Sequence, residues 1–301
     1  MNVHSEANTS SQRVPQLVPT ASDLRNGIHR DELVLHYQPQ LDSRTKSIVG
    51  VEALVRWKHP THGLLYPDRF ISIAEESGLI IPAGEWVLRQ SCAMAIKWRK
   101  RGIAPLQISV NVSAIQLRGH RFPFLVASVL AETGLAPQHL TLEITESCLM
   151  EDVKHVAMIL TKLRAMGVKI ALDDFGAGYS SLGQLRKLPI DLLKIDRSLA
   201  PDLSARVETV SIVRAIITMA RSLKLQVLAE GVESSSQLQL LLESGCDLMQ
   251  GYHISKPLPE IELQGFLSRR LNFIPVSPHG SPNSLTTCDR STPLSKYAML
   301  A

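Results

Sequence analysis

The sequence predicts an α/β fold, a modified (β/α)8 TIM-like barrel with an antiparallel first strand. Three observations predict it. Eight short apolar runs alternate with segments of helical periodicity over a block of about 250 residues, a common barrel length. Most runs are continuously apolar, as strands covered on both faces are. A polar residue closes run after run, at the strand end where barrel sites form.

Residues 1–21 are rich in Ser, Gln, Asn and Pro and read as a flexible leader. Residues 22–272 form the barrel, and 273–301, rich in Pro, Ser and Thr, read as a disordered tail. Ser22–Arg30 reads as an entry helix with Ser22 as its N-cap. Strands 33–38 and 48–56 follow each other too closely for a helical crossover, so they pair antiparallel. Pro82–Arg99 opens on a proline suited to a first helical turn. Lys97, Arg99, Lys100 and Arg101 fit its solvated C-terminal end, where cations favour the dipole. Strands 107–112 and 139–144 follow, then a helix Glu151–Met166 stopped by Gly167. Strands 168–173 and 190–195 lead to helix Val207–Leu223, strand 224–229, helix Ser234–Leu242 and strand 247–250. The rival fold is a doubly wound sheet, but its phosphate loop is missing: Gly176 and Gly178 have no third glycine.

Composition is that of a globular protein, with 45% hydrophobic and 20% charged residues. A net charge of +4 suits an anionic ligand and does not single out DNA. Cys92, Cys148, Cys246 and Cys288 lie far apart and form no C-x-x-C, which argues for reduced thiols rather than a disulfide framework or zinc site. No stretch approaches the roughly 20 apolar residues of a membrane span, and the N-terminus has no signal core. The expectation is a cytoplasmic protein with no membrane association.

The strand ends carry the chemistry. Glu52, Asn111, Glu143, Asp173, Asp174 and Glu230 all fall there, as does Lys194. In a barrel these ends converge on one face, so the six oxygen donors would form a cage for a hard cation such as magnesium or manganese. Asp173 beside Asp174 would let one carboxylate bridge two ions about 3.5–4 Å apart. Lys194 would hold a nucleophile or offset transition-state charge. Each residue alone has an ordinary reading: a strand-end carboxylate caps a turn or helix, and a lysine joins a structural ion pair. Together they repel without a cation, and that favours a metal site.

The chain also resembles a known family. Val51-Glu52-Ala53-Leu54-Val55-Arg56-Trp57 carries the Glu-Ala-Leu signature of EAL-domain cyclic di-GMP phosphodiesterases. It is joined in family order by Tyr37-Gln38-Pro39, Asn111-Val112-Ser113, Glu143-Ile144-Thr145-Glu146, Asp173-Asp174-Phe175-Gly176, Lys194-Ile195-Asp196, Ala229-Glu230-Gly231-Val232-Glu233 and Gln250-Gly251-Tyr252. The resemblance implies two Mg²⁺ or Mn²⁺ ions per site, with Ca²⁺ inhibitory. It implies Glu52, Asn111, Glu143 and Asp173 on the first ion, and Asp173, Asp174 and Glu230 on the second. It casts Lys194 as the group positioning water and Glu230 as a candidate general base, beside catalytic Glu52. Arg56 would grip a substrate phosphate, Gln38 and Leu54 would line the substrate, and Gln250 and Glu233 would support the site. Residues 174–181 would couple metal binding to a homodimer, with Glu146 anchoring that loop. Three positions depart from the family pattern: Gln40, Ala177 and Ile254. Ile254 stands for a frequent phenylalanine, and the expected effect is weaker stacking on a guanine.

The resemblance implies hydrolysis of cyclic di-GMP to linear pGpG. The alternatives are a non-hydrolysing receptor or protein-interaction module for the same dinucleotide, and a hydrolase of another phosphodiester. No sensory, receiver or cyclase domain is legible, so regulation would fall to an unidentified protein partner, oligomerisation or ligand level.

Overall fold

The computed structural model describes residues 19–149, 152–176, 185, 188–204 and 206–271. Most of the expected leader, the expected tail and residues 177–181 of the expected coupling loop lie outside the described residues.

Among the described residues, nine strands form one sheet that closes on itself. They are β1 (Leu33–Asp42), β2 (Ile48–His59), β3 (Gly63–Leu65), β4 (Gln107–Val112), β5 (Leu140–Thr145), β6 (Lys169–Phe175), β7 (Leu192–Ile195), β8 (Gln226–Ala229) and β9 (Leu248–Met249). The order is β1-β9-β8-β7-β6-β5-β4-β2-β3, and pairing of β1 with β2 closes an eight-strand barrel. β1 runs antiparallel to both its neighbours, β2 and β9, while the strands from β2 through β4 to β9 pair in parallel. The irregular barrel read from the close spacing of the first two strands is the one found. β3 is a short addition that continues from β2 as a hairpin, and three residues gave no periodicity to read.

Helices cover the outside. Ala21–His29 is capped by Thr20, whose hydroxyl accepts from Asp23 N while the Asp23 carboxylate accepts from Thr20 N. This corrects the expected Ser22 cap: Thr20 has the partner that completes a reciprocal pair. Ile80–Lys100 ends in the expected cations, but Lys97 and Arg101 are not merely solvated; both pair with Glu260 of helix Glu260–Leu271. Val153–Ala165 starts on Asp152 and stops before Gly167, whose φ of 94° suits glycine. Ser235–Ser244 carries a capping box between Ser234 and Gln237.

The main core joins the strands' outward apolar side chains to these helices, with Ile108, Leu140, Ile144, Ile159, Leu160 and Leu193 fully buried. A second cluster around Trp57 and Phe70 plugs the N-terminal helix and the β3 hairpin against β2. Cys92, Cys148 and Cys246 are buried free thiols. Among the described residues, no helix is long and apolar enough to cross a membrane.

Candidate active site

Strand pairing brings the predicted oxygens together. Glu52 pairs with Ser109, and Asn111, two residues further along β4, pairs with Glu143, so Glu52, Asn111 and Glu143 come from three adjacent strands. Asn111 Nδ2 donates to Glu52 Oε1 at 2.7 Å. Gln250, directly after β9, donates to Glu52 Oε2 at 2.5 Å. These two donors fix both oxygens of the carboxylate.

The acidic pair sits on a bulge. β6 meets β7 through Ala171–Leu192 and Leu172–Leu193, then resumes at Phe175–Ile195. Asp173 and Asp174 therefore face the single Lys194, and Asp174 takes a φ of 57°, a left-handed conformation that aspartate tolerates. The bulge breaks the ordinary alternation, and both carboxylates reach the same cleft.

Lys194 is fully buried at the centre. Its Nζ stands 2.6 Å from Glu143 Oε2, 2.7 Å from Glu230 Oε1, 3.0 Å from Asp173 Oδ2 and 3.8 Å from Glu52 Oε2. One ammonium thus faces four carboxylates, and the site carries surplus negative charge. The titration of the site reflects this. Burial, with the charges of Glu52 and Asp173, drives the Glu143 carboxyl well above its usual range despite Lys194. Burial pushes Glu230 up to about 7, with Lys194 pulling against it. Burial and the neighbouring charges of Asp173 and Asp196 also raise Asp174. Glu52 moves the other way: burial opposes its charge, but Lys194 and the Gln250 and Asn111 hydrogen bonds outweigh it. Lys194 is held charged by the carboxylates against the cost of its own burial.

The donor set fits hard divalent cations: it is all oxygen, over-charged, and among the described residues no donor reaches the buried Glu143 Oε1. Among the described residues, no three of His, Cys, Asp and Glu form a ready-made metal cage; the carboxylates close on Lys194 instead.

Above this floor lies an open cleft of about 1230 Å³. Gln38, Leu54, Arg56, Glu233 and Gln250 line it, beside Glu52, Asn111, Asp173, Asp174 and Glu230. Glu143 and Lys194 lie beneath it. The Arg56 guanidinium stands 4.8 Å from the Tyr66 ring centroid and donates to Val55 O, and its Nε has no partner. Glu146 begins a 3₁₀ turn, Glu146–Leu149, and is not among the cleft's lining residues. Ile254, where weaker stacking was expected, is buried in the main core and is not among the residues lining the cleft. Tyr252, 57% exposed on the cleft rim with Lys256 Nζ 5.5 Å from its ring, offers an aromatic face there.

Sequence reasoning quoted Asp196 in the Lys194-Ile195-Asp196 motif but gave it no role; it lines the cleft beside Asp174 and caps the turn Arg197–Leu199. Its signal was present, two residues beyond Lys194 at the same strand end.

Fold and site together define a barrel protein with an acidic, lysine-centred pocket at the C-terminal strand ends. The chain belongs to the EAL domain family, whose model matches residues 21–257. It is 48% identical over 239 residues to an uncharacterized signaling protein of Caulobacter vibrioides, covering 79% of this chain and 29% of that protein. It is 43% identical over 271 residues to the cyclic di-GMP phosphodiesterase NbdA of Pseudomonas aeruginosa, covering 90% of this chain and 34% of that one. The chain thus spans about a third of the length of these relatives. A solved structure, PaMucR phosphodiesterase in a c-di-GMP complex, matches with a TM-score of 0.77 and 43% identity, covering 80% of this chain and 98% of that chain.

Proposed function

We propose that the protein is a metal-dependent phosphodiesterase that hydrolyses cyclic di-GMP to linear pGpG. The observation that carries this reading is the buried Lys194 facing four carboxylates, with an unpartnered Glu143 oxygen among them, under a cleft large enough for a dinucleotide. A purely structural ion pair has no use for three surplus acids. The relatives named for cyclic di-GMP supply the substrate class.

Glu52, Asn111, Glu143 and Asp173 would hold one Mg²⁺ or Mn²⁺, and Asp173, Asp174 and Glu230 a second. Bound there, the cations would offset the surplus charge and act as Lewis acids on the phosphodiester and on water, while Ca²⁺, with its looser coordination, would inhibit. Lys194 keeps the acids in register and lends positive charge under the reacting phosphate. Glu230, on the cleft wall with Oε1 2.7 Å from Lys194 Nζ, is placed to exchange a proton with the attacking water. Arg56 presents its fork to a phosphate oxygen, and Gln38 and Leu54 border the sugar and base. Water adds to phosphorus, the bond to one ribose 3′ oxygen breaks, and that oxygen leaves protonated. Family resemblance further supports a homodimer.

Rates on cyclic di-GMP, pGpG and cyclic AMP with Mg²⁺ test the substrate. The expected result is fastest loss of cyclic di-GMP, and loss of roughly 10²–10³-fold or more in Glu52→Ala. A Glu52→Ala protein as active as the wild type would overturn the assignment of the site.

A further inference from the structure

β1 carries two glutamines on one face, Gln38 and Gln40, opposite Glu52 and Gly50 of β2. Gln40 is 2% exposed. A side chain of this polarity is expensive to bury without partners. Its Nε2 donates to Gln250 Oε1 at 3.1 Å. The Gln250 amide is then used on both sides: its Nε2 donates to Glu52 Oε2 at 2.5 Å and to Gln38 Oε1 at 3.0 Å. Gln38 in turn donates to Ser255 O at 3.2 Å. Gly50 makes the arrangement possible, because a Cβ there would stand 2.7 Å from Gln40 Oε1.

An amide has one donor end and one acceptor end, and nothing in its shape tells them apart. The Glu52 carboxylate accepts only, so it needs the Gln250 donor end. If Gln250 turned over, its carbonyl oxygen would face a carboxylate, and its NH2 would meet the NH2 of Gln40. We infer that Gln40 is a positioning residue that fixes the orientation of the Gln250 amide, and through it aims Glu52 and Gln38. It touches no reacting atom. The inference rests on the reading that Glu52 takes part in holding a divalent cation, where partners behind a ligand commonly govern metal affinity.

The test is Gln40→Met, which keeps the volume and removes the donor, with Gln40→Leu as a second variant. Mn²⁺ alone is titrated into wild type, each variant, Gln250→Ala and the double variants, with binding read by calorimetry. The expected result is about tenfold weaker Mn²⁺ binding for either Gln40 variant. In the Gln250→Ala background the same substitution should change nothing further, since the amide it orients is gone. Turnover of the Gln40 variants should recover toward wild-type kcat at saturating Mn²⁺. Wild-type affinity in a folded Gln40 variant, or an undiminished tenfold loss on top of Gln250→Ala, would overturn the inference and leave the proposed function standing. Failure of both Gln40 variants to fold would also overturn it, by making Gln40 structural. Absence of Mn²⁺ binding by the wild type would overturn the cation reading and this inference with it.

Discussion

Arg56 shows how one side chain ties packing to recognition. It is buried, its guanidinium lies against the Tyr66 ring, and its Nε has no partner. A guanidinium on the cleft lining is suited to an anionic oxygen. Arg56→Lys keeps the charge but loses the fork and the ring contact. KM for cyclic di-GMP should rise roughly tenfold, about 1.4 kcal/mol, with a smaller change in kcat. Unchanged KM would mean that Arg56 does not meet the substrate. At this scale the sequence was informative about which side chains matter, because acids gathered at successive strand ends repel one another without a cation. It was silent about how they are arranged. That Glu143 and Lys194 lie under the cleft while Asp174 opens onto it depends on the strand order, which sets β5 and β7 on either side of β6 and joins residues 51 positions apart in one hydrogen bond.

The strands that form the barrel wall were readable because parallel strands buried on both faces leave continuous apolar runs. Helix Phe122–Thr133 was not picked out, since Phe122, Pro123, Phe124, Leu125 and Val126 are apolar in succession and mark no single face. The bulge at Asp173 and Asp174 was invisible for another reason: it exists only in the pairing of β6 with β7. The turn after β9 is equally a matter of close approach. Gly251 lies against the Val232 backbone, where a Cβ would overlap main-chain atoms, and Val232 N donates to Gln250 O at 3.1 Å. Gly251→Ala should push the turn away from β8 and carry Gln250 with it. The expected cost is about 1–3 kcal/mol in denaturant unfolding, together with weaker metal binding. A variant of wild-type stability would show that the two turns are not packed as described.

For the whole molecule, the acidic centre links folding to pH and cations. Without metal, the folded state holds Glu143 well above the usual carboxylate range and Glu230 at about 7. The proton-linked stability from Glu230 is therefore present in full below the ordinary value of 4.5 and is lost as pH rises through about 7, and Glu143 acts in the same direction. His36 and His139, both lowered by burial, titrate in the opposite sense, but they are common to wild type and variant. In chelator, the stability of the wild type relative to Glu230→Gln should fall between about pH 5 and 8. A constant difference across that range would contradict the charge imbalance at the site. The central claim is tested most directly by incubating purified protein with cyclic di-GMP and Mg²⁺, Mn²⁺, Ca²⁺ or chelator, and separating the products by chromatography. The account predicts pGpG with Mg²⁺ or Mn²⁺ and intact nucleotide with Ca²⁺ or chelator. Intact nucleotide in every tube, or equal turnover in chelator, would contradict it.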